Sequence, residues 1–485
     1  MEDFDLDVVA RKSVRGIFAL VSRTFFIQVL SIAASFILTI FLDPGSYGVF
    51  FVVSSLVVFL TYFQDIGLAA ALIQKKEEVT KEELRSTFTL QQILVLLIVI
   101  PVLIFSKDIA VFYKLNASGY VLLISLTISF FLSSLRTIPT VILERKLDFK
   151  KLVIPQIAEN LVYNLSLIYF SISGFGLTTF TIAVLARSVV GLVITYFIQP
   201  WPIGLSFNLR SIKNLISFGI PFQANTILAL IKDDLLTVYV GKILPFSQVG
   251  YIGFAQKWAF MPLRLIMDNV IKITFPSMSR LQHDKTALKL AVEKSLFLVS
   301  FFIFPLAAAI ISYSPFLIDL IPKYKKWEPA LLSLSFFALN TIFSSISTPL
   351  TNFLTAIGRV KITLYFMIFW TAATWILTPA LILIYGFNGF ALSSFLISIT
   401  SIFVYFSARR FINFSFMRPV FRQFLAAVLM FIVIQSTKGI ITSFSTLALN
   451  IALAMLVYFG ILFILAGPEL VKTTKFIIIS VRNKS

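Results

Sequence analysis

Residues 231–254 read IKDDLLTVYVGKILPFSQVGYIGF. An apolar run is interrupted by Lys232, Asp233 and Asp234, then turns through Pro245 into the pair Gly250-Tyr251, where a second long apolar run begins. Nearly the same turn occurs two hundred residues earlier in FLDPGSYGVF, residues 41–50, with Pro44 and the pair Tyr47-Gly48. Two hairpins of one design, each opening a long second helix, predict an internal repeat of two six-helix lobes, the usual plan of membrane transporters with a substrate site between their halves.

Outward from those hairpins, the chain divides into runs of about 20 apolar residues, the length needed to cross a bilayer as a helix, cut at charged, Pro or Gly clusters. Fourteen spans result, at 13–41, 46–73, 86–106, 118–143, 152–172, 177–199, 215–241, 246–275, 288–312, 328–354, 361–384, 388–408, 419–438 and 444–466. The expected fold is an all-α polytopic membrane protein, with lobes over 1–214 and 215–411 and a C-terminal helix pair with its tail over 412–485. The acidic start MEDFDLDVV and a long first run containing Arg23 predict an uncleaved first span rather than a signal peptide.

Composition excludes most other classes. The 485 residues are 58% hydrophobic and 13% charged, where soluble proteins carry about 25% charged residues. The absence of cysteine and a single histidine, His283, remove thiol chemistry and Cys/His zinc sites. A net charge of +19 would suit a nucleic-acid partner, but its distribution argues otherwise. With the N-terminus inside, 27 of the 41 Lys and Arg fall on inner segments or the span ends that adjoin them, 7 on the outer side counted likewise and 7 deeper within spans. That is the bias of a multi-pass membrane protein with both termini cytoplasmic, and it needs no nucleic acid.

Function must then reside in or beside the bilayer, where an embedded charge costs about 2.5–3.5 kcal/mol and persists only beside a cavity or a partner. The embedded cations are Arg23, Arg136, Arg187, Lys232, Lys257, Arg264 and Lys272; the embedded acids are Asp65, Glu159, Asp233, Asp234 and Asp268. All lie in the first eight spans. On span eight, Lys257, Arg264, Asp268 and Lys272 share one helical face, with Arg264–Asp268 and Asp268–Lys272 spaced i,i+4 for partial neutralisation. On span seven, Asp233 shares a face with Thr226 and Thr237, while Lys232 and Asn225 turn 80–100° away. Lys232 or Asp233 is placed to oppose Lys257 across the hairpin, and Arg23 to pair with Asp65. Arg136, Glu159, Arg264, Asp268 and Lys272 lie near span ends, where snorkelling to headgroups is the competing reading. The cluster Lys323-Tyr324-Lys325-Lys326-Trp327 is expected to be an interfacial anchor.

Several stretches together resemble a known family. FLDPGSYGVFFVV, FQDIGLAAALIQKK, ILERKLDFKKLVIPQ, KDDLLTVYVGKILPFSQVGYIGFAQKWAFMPLRL, TFPSMSRLQHD, KYKKWEPALLSL and LTAIGRVK occur, in family order between about residues 10 and 365. They resemble the Wzx-type oligosaccharide flippases, the polysaccharide exporters of the MOP superfamily; the last hundred or so residues match in hydropathy alone. The resemblance implies a fold similar to the multidrug (MATE) exporters and the lipid II flippase, with two bundles around a cavity of alternating access. It implies transport of polyprenyl diphosphate oligosaccharides, undecaprenyl- or dolichyl-linked, from the cytoplasmic to the outer leaflet. By position it places Arg23, Arg187, Asp233 and Lys257 among the cavity residues, although the KDD triplet departs from the commoner single acid.

The chemistry of the residues agrees with that implication. A lipid diphosphate calls for cations, which Arg23, Arg187, Lys232, Lys257 and Arg264 can supply, and its sugars for amides such as Asn160, Asn164 and Asn225. Asp65, Glu159, Asp233 and Asp234 are the candidates for coupling to H⁺ or Na⁺; no other cofactor is expected. Expected partners are the lipid-linked glycan, the bilayer and a complex of glycosyltransferases or glycan polymerase. The alternative is an ion-coupled exporter of small amphiphiles on the same fold, which predicts a cavity dominated by acids. A membrane polymerase or ligase would need a reactive outer-face cluster that the sequence does not contain.

Overall fold

The computed structural model describes residues 27–64, 67–75, 77–208 and 226–482; these are helical apart from short connections, with no strand. They gather into two compact units, Met1–Gly250 and Tyr251–Ser485. Ten described helices are long and apolar enough to cross a membrane. The other four expected spans fall on Ile27–Phe41, Phe149–Ile172, residues 226–243 and Phe246–Arg280. These are either short or only partly described, or they carry the embedded polar residues, so apolarity alone does not bring the count to fourteen.

In the first unit, α1 (Ile27–Phe41) leads into α2 (Pro44–Thr61) through the DPGS turn. Asp43 caps α2 by accepting from the Ser46 amide at 2.9 Å, and Pro44, which has no amide hydrogen to satisfy, starts the helix. A short helix α3 (Leu68–Gln74) follows, then α4 (Lys81–Ile104), opened by a capping box between Thr80 and Glu83. The unit continues through α5 (Ser106–Tyr113), α6 (Ala117–Ser134), α7 (Thr137–Arg145), α8 (Phe149–Ile172) and α9 (Thr178–Ile198), and closes with α10 (Leu236–Ile243). Residues 226–230 are helical and join α10 through a π-helical turn, Ile231–Leu235.

The repeated turns meet in this unit. A Cβ on Gly48 would overlap the Phe246 carbonyl and the Gly250 amide, and a Cβ on Gly250 would overlap the Pro44 carbonyl. The glycines therefore let the two turns touch backbone to backbone, the close approach that small residues allow between membrane helices. Gly241 likewise admits the side chain of Val52, and Lys242 donates to the Phe112 carbonyl at 2.7 Å while lying over its ring.

The second unit comprises α11 (Phe246–Arg280, which begins at the end of the first), α12 (Lys285–Leu320), α13 (Leu331–Ala356), α14 (Val360–Tyr385), α15 (Asn388–Ile399), α16 (Ile402–Arg409), α17 (Arg422–Thr437) and α18 (Phe444–Arg482). Its core joins Leu296, Phe304, Phe353, Phe414, Met430 and Tyr458. Polar links pin the last helix: Tyr313 donates to Asn450 at 2.8 Å, Asn450 to Thr437 at 2.8 Å, and Tyr458 to the Phe301 carbonyl at 2.7 Å. The expected aromatic anchor at 323–327 is corrected here. Trp327 is 0% exposed and stacks on Phe254 with centroids 4.4 Å apart, and Tyr324 is buried too, so both rings are core and not interfacial. Their Gly-free 3₁₀ turn, Pro322–Ala330, turns residues 324 and 327 to the same side, inward.

Candidate functional site

The fourth span is broken. Between α6 and α7 the residues Leu135 and Arg136 form a turn, and the Leu135 carbonyl lacks a helical donor because Pro139, four residues on, has no amide hydrogen. A side chain takes that place: Tyr196 donates to the Leu135 carbonyl at 2.9 Å, while the Arg136 carbonyl accepts from both the amide and the hydroxyl of Thr140 at 3.1 and 2.9 Å. Gln91 and Gln92 on α4 reach Thr137 and Ser134 on either side of the break.

The break aims Arg136 at Glu159 on α8, to which it donates at 2.5 Å. Arg187, on α9, brings its Nε to 3.9 Å from the same carboxylate oxygen, too long for a hydrogen bond but close enough for direct attraction. Its guanidinium also lies over the Tyr163 ring, 5.4 Å from the centroid. Gly191 makes this possible, since a Cβ there would overlap both Arg136 and Glu159. Glu159 is 5% exposed, whereas the Arg187 side chain is 41% exposed. Two guanidiniums against one carboxylate leave one positive charge uncompensated, and the accessible member is Arg187. A cavity of about 250 Å³ beside the pair is lined by Arg136, Thr137, Glu144, Gln156, Glu159 and Thr195 among others.

The snorkelling read from the positions of Arg136 and Glu159 is thus corrected, because both turn inward to each other. The two amides of α8 have partners as well. Asn164, 3% exposed, donates to Ser31 on α1 at 3.3 Å and to the Asn160 carbonyl at 2.8 Å, and Asn160 donates to the Gln156 carbonyl at 2.7 Å. Arg23, Asp65 and Asn225 lie outside the described residues.

On span seven the triplet sits in the π-helical turn, where one extra residue per turn displaces side chains from their α-helical directions. Lys232 and Asp233, expected to diverge, instead form an ion pair of 2.5 Å. Asp233 therefore balances its neighbour, and its carbonyl accepts from Thr237 at 2.8 Å. Asp234 beside it is half-buried. In the second unit, Lys257, Arg264, Asp268 and Lys272 form the expected stripe on α11, and all four are exposed. The two i,i+4 pairs do not close: among the described residues no ion pair joins these four side chains.

Sequence reasoning thus found Glu159 and Arg187 but left Arg136, Tyr163 and Gly191 out of the site. Gly191 was the available signal, a glycine in mid-span that marks a close approach.

The sequence profile of a family described as polysaccharide biosynthesis protein matches residues 37–332. An uncharacterized membrane protein in the cps region of Klebsiella pneumoniae is 24% identical over 355 residues, 70% of each chain. The lipopolysaccharide biosynthesis protein WzxC of Escherichia coli K12 is 22% identical over 344 residues, 70% of this chain and 69% of that one. The succinoglycan biosynthesis transport protein ExoT of Rhizobium meliloti is 23% identical over 251 residues, about half of each chain. Among solved structures, the lipid II flippase MurJ in an inward closed conformation superposes with a TM-score of 0.75 at 16% identity, covering 94% of this chain and 100% of that one. An inward-facing MATE transporter of the MOP superfamily superposes at 0.62 and 15% identity, covering 79% and 95%. At these identities the structural likeness speaks for the fold alone, the one this chain shares with MurJ and with that MATE transporter.

Proposed function

The chain belongs to the polysaccharide biosynthesis protein family, and from that membership we propose that it is a flippase, a transporter and not an enzyme, moving a lipid-linked oligosaccharide between leaflets for surface polysaccharide synthesis. The observation that carries the reading is the uncompensated charge at Arg187: a buried two-arginine, one-carboxylate cluster presents a single accessible cation within a span. Such a group suits a phosphate, which accepts the planar fork of a guanidinium through paired oxygens. A transporter of cationic amphiphiles would show the opposite sign.

In this proposal the substrate headgroup is a polyprenyl diphosphate, and its candidate cationic ligands are Arg23, Arg187, Lys257 and Arg264. Asn225 and Asn160 are the sugar contacts; Asn164 secures α8 to α1. Asp65, Glu159, Asp233 and Asp234 are the acids proposed for H⁺ or Na⁺ coupling, Glu159 with Arg136 and Asp233 with Lys232 as ion-pair partners. The protein sits in the cell membrane with both termini cytoplasmic, as the positive-inside distribution requires. It takes its substrate from glycosyltransferases inside and hands it to a polymerase outside. Reconstitution into liposomes with a fluorescent polyprenyl diphosphate oligosaccharide tests this. Quenchable label should transfer between leaflets with the protein present, and a rate equal to that of protein-free liposomes rejects the proposal.

A further inference from the structure

Three connections meet at one end of the first unit. Arg145, at the end of α7, donates to the carbonyls of Leu72, Lys75 and Glu77 at 2.5, 2.8 and 2.8 Å, capping the carbonyl end of α3, which has no intrahelical donors for these groups. Beyond α9 the chain runs extended along the start of α4. Ser206 and Asn208 donate their amides to Thr89 and Ser86 at 3.1 and 3.2 Å, and the Asn208 side chain reaches Glu82 at 3.1 Å. Gly204 lets this strap lie against Arg85, with which a Cβ would collide. Alternate residues therefore face α4, and those between them, Ile203, Leu205 and Phe207, are 60%, 75% and 57% exposed.

Strap, α4 and α7 enclose a cavity of about 510 Å³. Lys81, Arg85 and Lys146 line it, and none of their three side-chain cations forms an ion pair or hydrogen bond among the described residues. Arg145 adds its charge with its donors engaged, Glu78 is the acid in the wall, and Trp201 supplies a buried ring held by Tyr196 at 3.2 Å. A concave site with this surplus concentrates anions. Three cations in the cavity, with three outward apolar side chains on the residues that follow its lining at Gln199–Pro202, match a group that is both anionic and anchored in lipid.

We propose that this cavity binds the phosphate headgroup of an anionic glycerophospholipid of the cytoplasmic leaflet. The assignment of leaflet rests on the orientation given above; the cavity shares no lining residue with the Arg136–Glu159–Arg187 cluster. Native mass spectrometry of the full chain in neutral detergent, with equimolar phosphatidylglycerol and phosphatidylcholine, tests it. The wild type should retain phosphatidylglycerol in preference, and Arg85→Gln with Lys146→Gln should reduce that preference by about tenfold or more. Arg85→Lys with Lys146→Arg should restore it. Lys146→Gln alone, at an exposed residue without a hydrogen bond, gives a partial loss in a protein whose folding is not in question. Equal retention of both lipids by the wild type, or an unchanged preference in the double variant, overturns the proposal. So does equal depletion of both lipids by inorganic phosphate, which would make the site one for a free anion. Lys257→Ala and Arg187→Ala should leave the lipid preference intact, so failure of the flippase reading and failure of this one give different results.

Discussion

The guanidinium of Arg136 donates to the carboxylate of Glu159 across 2.5 Å, from a helix break to the middle of a neighbouring span. Removing one member of a buried ion pair strands the other, at about 3–5 kcal/mol in soluble proteins. Glu159→Gln additionally leaves Arg136 and Arg187 facing each other with no anion between them. Its unfolding midpoint in detergent should fall well below that of the wild type, and Arg136→Gln combined with Glu159→Gln should recover part of the loss. A double variant less stable than Glu159→Gln alone would show that the pair is not coupled in this way.

Arg187 has the complementary behaviour. Without a hydrogen bond to Glu159 and with its side chain 41% exposed, it adds little to packing. Arg187→Ala should abolish flipping in proteoliposomes while moving the unfolding midpoint far less than Glu159→Gln does. Arg187→Lys keeps the charge but loses the planar fork and the stacking on Tyr163, so partial activity is expected.

The contact of the repeated turns gives a steric prediction. Gly48→Ala and Gly250→Ala each place a methyl group on opposing backbone, which cannot rotate away as a side chain can. Overpacking of this kind destabilises by about 1–3 kcal/mol or more. Gly460→Ala is the control, since nothing lies within 4 Å of its Cβ position and alanine favours a helix. Melting midpoints of the three variants should separate the two turn glycines from Gly460; a common value would remove the backbone contact from the account of the fold.

The turn glycines also show how far the fold was legible. Hydropathy marked where most helices run, and PGSYG beside PFSQVGY marked the two turns that touch, because Pro and a Gly–aromatic pair leave a pattern that survives without any contact information. What hydropathy could not report was register across helices. The π turn at 231–235 brings Lys232 and Asp233 together by one extra residue, and nothing in a periodic wheel of 3.6 encodes that. The break at Leu135-Arg136 does have a local cause in Pro139, which has no amide to give the Leu135 carbonyl, but the replacement donor, Tyr196, is sixty-one residues away. Tyr324 and Trp327 carry the composition of an interfacial belt, yet Phe254 on another helix supplies a buried stacking partner. In each case a tertiary partner decided between two local readings.

Lys257 carries the last prediction. It lies on the exposed stripe of α11, and no acid neutralises it among the described residues. An ammonium within a span and without a partner is unfavourable unless water or an anion reaches it, so substrate phosphate is the group expected to complete it. Lys257→Ala removes that charge without leaving an acid stranded, and the protein should accumulate in the membrane at the wild-type level. Export should nevertheless fail, read as loss of surface glycan in cells and of leaflet transfer in liposomes, while Lys257→Arg retains part of both. The neighbouring Lys272→Ala, near the end of the same helix, should have a much smaller effect, because headgroups and water already solvate that end. Normal surface glycan in Lys257→Ala cells at matched protein level would remove Lys257 from the transport path and leave Arg187 to carry the anion alone.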